Sequence, residues 1–197
     1  DIFEDNGINF ILESISNNTE QVAFLYGVKA LKNNKQFKNL PPNGIFNFTS
    51  VRADCKIKGD LKEVVSREIV LNYMYKVPEE VRRIPPSLLW VKIAEDYDCL
   101  SFNSVVAIKK YLDGGITSQI LSLNVTYPAA IVELYKILAY SKVYKSLIYR
   151  WRSRLLWARY SFHNRSMEIK KWWQFIVFIP GILIYMLDRI FIYKNSR

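Results

Sequence analysis

Histidine is almost absent from this chain, with His163 the only one in 197 residues, and cysteine is limited to Cys55 and Cys99. A single imidazole excludes histidine-rich metal sites by count. It leaves a Ser-His-Asp relay one candidate base, and no Gly-x-Ser-x-Gly elbow supplies the nucleophile. Two cysteines with neither metal nor redox spacing make no disulfide framework, so both read as free buried thiols. The chain also has only seven glycines. The pair at Asp113-Gly114-Gly115 fits neither dinucleotide nor P-loop spacing and reads as a helix end. Acid is scarce too, and its densest cluster, Glu95-Asp96-Tyr97-Asp98, lacks the glycine and distal Glu of a calcium loop. No catalytic, cofactor-binding or metal-ligating residue is assigned, and the expected class is a non-enzyme.

What the chain does contain is one long apolar run. From Trp172 to Leu187 there is no charge, and the stretch to Tyr193 makes about 22 residues. At about 1.5 Å per residue, that reaches across a hydrocarbon core of about 30 Å. Trp172, Trp173 and Tyr193 stand at its ends, where amphipathic rings prefer the headgroup layer, flanked by Lys170, Lys171 and Lys194. The expectation is a transmembrane helix, kinked at Pro180-Gly181. Asp188 and Arg189 interrupt the run and are expected near one interface, touching another subunit.

Basic charge is concentrated just upstream. Between Lys136 and Lys171 lie ten Lys and Arg residues against one acid, Glu168, which is nine of the chain's net ten positive charges. From Pro128, apolar positions recur at steps of three and four through Leu134, Ile137, Ser141, Tyr144, Ile148, Trp151, Leu155, Ala158 and Phe162, predicting one long amphipathic helix. Lys145, Arg152 and Arg159 recur at sevens along its edge. Such a helix suits anionic headgroups, a partner helix or nucleic-acid phosphate.

The segment before Pro128 is long enough for one domain. Ile8 to Ile15 reads as a helix, and Asn18 or Thr19 as the cap of a second carrying Val22, Leu25, Tyr26, Lys29 and Leu31. Residues 33–44 read as a polar connection. The alternation of Val51, Ala53, Cys55 and Ile57 with charged neighbours predicts a strand, with Gly59-Asp60 turning it into a return strand over Leu61–Val77. Helical pattern resumes after Pro78, with a short turn at Glu79–Arg83, a helix that Ser87 caps from Leu88 to Leu100, and another from Ser104 to Lys110.

The expected fold is therefore α+β and mainly helical, with a globular domain at 1–127 holding a β-hairpin. A long basic amphipathic helix at 128–171, a transmembrane helix at 172–193 and a polar tail at 194–197 follow. The contact residues for lipid or partner are Arg150, Arg152, Arg154, Arg159, Lys170, Lys171, Trp172, Trp173, Asp188 and Arg189. Charge bias retains the N-terminal domain on the positive side, and a chain that starts at Asp1 reads as a processed precursor. Both fit the mitochondrial inner membrane with that domain in the matrix. The expected function is a non-catalytic accessory or assembly subunit of a membrane complex, with other subunits and anionic phospholipid as partners. Two alternatives stand beside it. Tyr149, Trp151, Trp157 and Tyr160 interleave with arginines as in RNA-stacking proteins, and the sequons at Asn17, Asn47, Asn124 and Asn164 fit a secretory or surface membrane protein. No family resemblance covers enough of the chain to lend a fold.

Overall fold

The computed structural model describes residues 2–32, 35–57, 59–75, 84–110, 119–140 and 147–195, of which 32, 35–38 and 192–195 are described by backbone alone. The chain divides into two compact units, one of Asp1–Met74 with Lys92–Gly115 and one of Tyr75–Val91 with Ile116–Arg197.

The first unit is built on a parallel pair of strands, β2 (Ala23–Lys32) and β6 (Asp98–Lys110). The outer edge of β2 is shared by β5 (Lys62–Val65) along its first half and β3 (Lys35–Asn39) along its second, both antiparallel. The outer edge of β6 is shared in the same way by β4 (Gly44–Asn47) and β1 (Ile2–Phe3). Among the described residues, six strands thus make a sheet four strands wide. Helix α1 (Gly7–Ser16) covers one face, its Ile11 in a cluster with Phe24, Tyr26, Val28, Val106 and Ala107. Gly7 permits the approach, since a Cβ there would lie 2.2 Å from the Val106 carbonyl oxygen. Phe10 meets Tyr26 and Phe102 edge-on, and those two rings stack at 5.5 Å. A register shift between Tyr26 and Val28 places Gly27 where a Cβ would lie 2.6 Å from Leu40 and 2.9 Å from the Asn39 carbonyl oxygen.

Several expected elements are corrected. The helix expected over Val22–Leu31 is strand β2, buried on both faces from Ala23 to Val28. Burial on both faces removes the alternation that marks a half-wet strand. The strand expected at Val51–Ile57 is the short helix α2 (Ser50–Asp54). The Asn47 side chain turns the chain there, its Oδ1 accepting from the Thr49 N–H at 3.1 Å and the Thr49 hydroxyl at 2.9 Å. The expected hairpin is absent from the described residues. Of its return strand only β5 forms, and Ser66 then caps α3 (Arg67–Tyr73) by accepting from the Ile69 N–H. The polar connection at 33–44 contains β3 and the start of β4. The helix expected to reach Leu100 is α4 (Pro86–Ile93), and the one expected over Ser104–Lys110 is part of β6, as its β-branched run Val105, Val106 and Ile108 suits. Strands are therefore spread through the first unit rather than confined to a hairpin. The expected turn at 79–83 and the Gly114-Gly115 helix end lie outside the described residues.

The second unit is helical: α5 (Ile120–Thr126), α6 (Ala129–Tyr140), α7 (Leu147–His163) and α8 (Trp172–Asn195). The single long helix expected from Pro128 is here two, with residues 141–146 outside the described ones. They fold back on each other: Tyr135 of α6 stacks on Tyr160 of α7 at 5.8 Å, and Arg154 of α7 reaches the Ala139 carbonyl at 3.5 Å. Leu134 and Leu138 share a cluster with Tyr160, Leu88 and Val91. Of the apolar stripe, Leu134 clusters with Tyr160 between these two helices, Ala158 and Phe162 lie against α8, and Ile148 is exposed. Helix α8 runs unbroken through Pro180.

Candidate functional site

The residues singled out from the sequence meet along α7 and α8, and the pairing starts at their N-terminal ends. Trp151 of α7 lies edge-on to Trp172 at 6.3 Å, and Trp157 to Trp173 at 5.4 Å. Midway, the helices close to small-residue contact, since a Cβ on Gly181 would lie 2.8 Å from that of Ala158. Further on, Phe162 meets Phe178 at 5.2 Å, and His163 meets Tyr185 at 4.7 Å. From Trp151 against Trp172 at one end to His163 against Tyr185 at the other the numbers rise on both helices, so α7 and α8 run side by side in the same direction.

At the far end of this contact is a buried charge cluster. Asp188 is 7% exposed. Its carboxylate accepts from Arg159 Nε at 2.7 Å and Arg159 Nη2 at 2.5 Å, a bidentate fork, and lies 2.9 Å from His163 Nε2. Burial pulls the His163 imidazole below its ordinary 6.5, opposed by the Asp188 contact. A carboxylate only accepts, so Nε2 is the donor in this contact, and Arg159 supplies the counter-charge. The sequence reading placed Asp188 against another subunit; the structure gives it partners on its own chain.

The other expected contact residues separate into inside and outside. Trp173 is 3% exposed and packs inside the unit with Trp157 and Tyr140, with the Arg154 guanidinium 4.8 Å from its ring centre. Arg154 also lies 4.7 Å from the Trp151 ring, and burial with the nearby Arg150 charge lowers its pKa. Arg150 is half-buried, whereas Arg152, Lys170, Lys171, Trp172 and Arg189 are exposed. Gln174 caps the start of α8, its Oε1 accepting from the Lys170 and Lys171 N–H groups at 2.5 and 2.6 Å. Lys171 lies over the Tyr140 ring at 4.5 Å.

The face of α8 turned away from α7 was not distinguished in the sequence, where the run reads as one span. Trp172, Phe175, Ile176, Ile179, Leu183, Met186, Leu187 and Ile190 are each more than half exposed and recur at steps of three and four. They form one uncharged arc. The opposite arc, Trp173, Val177, Gly181 and Asp188, is buried. Trp172–Phe191 is long and apolar enough to cross a membrane, and 22% of its most apolar window is buried. A soluble core helix would bury most of that stretch. The side chains of Tyr193 and Lys194, expected at the far interface, lie outside the described ones.

Other candidate chemistry is engaged in structure. Asp96 accepts from the Tyr73 hydroxyl at 2.5 Å. The Cys99 thiol is buried against the Phe46 carbonyl, and burial pushes its pKa up to about 12, whereas Cys55, expected buried, is exposed; both are free. Among the described residues, no three His, Cys, Asp or Glu side chains are grouped to hold a metal. Of the sequon asparagines, Asn47 is committed through its Nδ2, which donates to the Ala94 carbonyl at 2.6 Å, and Asn17 is exposed. Comparison with protein-family models, curated proteins and solved structures gives no match for this chain.

Proposed function

We propose that this chain is a non-catalytic accessory subunit held at a membrane by α8, working by contact with anionic phospholipid and with other subunits of a membrane complex. The observation that carries the reading is the uncharged arc of α8, because an exposed apolar surface of that length is unstable in water and suits lipid or protein cover. Exposed Lys170, Lys171 and Arg152 lie in the segment holding most of the net charge, and they favour an anionic surface. The compartment we favour is the mitochondrial inner membrane with the N-terminal domain on the matrix side, which joins a basic protein to an anionic leaflet.

Two observations weigh against the alternatives. The RNA reading needs Trp157 and Tyr160 free to stack on bases, and both are buried. The secretory reading loses one of its four sequons, since the Asn47 amide nitrogen is already bonded, while Asn17 is exposed.

Extraction in mild detergent followed by native electrophoresis tests the proposal. The expected result is migration with other chains and recovery from the membrane fraction. A lone monomer recovered from the soluble fraction would sink it.

A further inference from the structure

We infer that α8 lies in the plane of an anionic bilayer instead of crossing it, with its uncharged arc sunk among the acyl chains and α7 on its aqueous side. The inference rests on the membrane reading above and adds the geometry of attachment. It begins from the parallel course of α7 and α8. Contacts run from Trp172 against Trp151 to Asp188 against His163, which is 16 residues of α8 and about 24 Å of helix axis. Because α7 ends beside Asp188 and α8 starts beside Trp151, the connection 164–171 has to travel back along the pair. Nine Cα steps at about 3.3–3.6 Å allow about 30 Å, so the chain can cover that return only without forming a helix. After a turn at Asn164 and Arg165, residues 166–170 have no regular structure, and Arg165, Ser166, Glu168, Ile169 and Lys170 are exposed.

A crossing α8 would carry this connection into the hydrocarbon layer. Lipid-exposed irregular backbone is not tolerated at that depth, because its N–H and C=O groups find no partners. Exposed Arg152 and Arg165 would go with it, and charges in that layer are expensive. Laid in the plane, the same parts are all accommodated. The uncharged arc meets the acyl region, the buried arc stays on α7, and the irregular connection stays wet. Arg189 lies at the side of α8, between the two arcs, and Lys170 and Lys171 lie at its start. All three are exposed and at headgroup depth, where they meet anionic phosphate.

The test uses the full chain with an epitope tag at each end, made in cells and recovered in sealed membrane vesicles of known orientation, then treated with protease. In-plane attachment exposes both tags in one vesicle orientation and protects both in the other. Opposite behaviour of the two tags overturns the inference and leaves the membrane reading standing. Absence of the chain from the membranes overturns both. As a second measurement, Ile179→Glu with Leu183→Glu is read by flotation with phosphatidylglycerol vesicles. Binding is expected to fall about tenfold or more with the thermal transition retained, since both side chains are exposed. Unchanged binding by the folded variant overturns the assignment of the arc.

Discussion

Asp188 shows how a single side chain changes meaning between sequence and structure. In the sequence it interrupts an apolar run and invites a partner, and nothing there points to Arg159, 29 positions earlier. Helical phase puts both residues on inward faces only once the two helices are known to run side by side. Two outcomes follow. Asp188→Asn leaves the Arg159 guanidinium buried without its counter-charge, and chemical denaturation should show a loss of about 3 kcal/mol or more. The second concerns pH. His163 has its folded pKa below the ordinary 6.5, so the unfolded chain takes up the proton first as the solution is acidified. Its contribution is complete above about 6.5 and is lost as pH falls from there through the folded value. Thermal melts of His163→Gln across that window should show a flatter dependence than the parent chain.

Elements were legible where one periodicity acted alone. Helix α1 repeats its apolar residues against a single sheet face, and α8 opens with a long run free of charge from Trp172 to Leu187. Strand β2 was read as a helix because both its faces are covered, so Leu25 and Tyr26 are equally buried and no alternation survives. The Val51–Ile57 alternation misled in the opposite direction, since the turn at Asn47 sets that segment winding before the alternation can be used. The α6 and α7 stripe was real, but a stripe does not say whether it faces outward or back onto its own chain. Close approach decides stability at this scale. Gly27→Ala would push a methyl against the Asn39 and Ser104 carbonyl oxygens, which are backbone and cannot rotate away. Urea unfolding should show a loss of about 2 kcal/mol, in the range of an overpacked interior.

For the whole molecule, charge and apolarity share the second unit, whose 136–171 segment holds nine of the ten net positive charges. Attachment should accordingly have two separable parts. Raising salt from about 0.05 M to about 0.5 M screens the lysines and arginines but not the arc. Vesicle flotation should weaken by about tenfold across that range and then level off, and complete release at high salt would mean that the arc contributes nothing.

The parallel pairing of β2 with β6 also has a consequence in time. Phe24 waits for Leu100, 76 positions later in the chain, before its strand gains its central neighbour. Contacts of such long separation form slowly, because the intervening chain has to be ordered before it is rewarded. Until then β2, with its buried Phe24, Leu25 and Tyr26, is an apolar strand with one edge open. Newly made chain therefore passes through an interval in which β2 is an adhesive part of the first unit, before the unit closes around it.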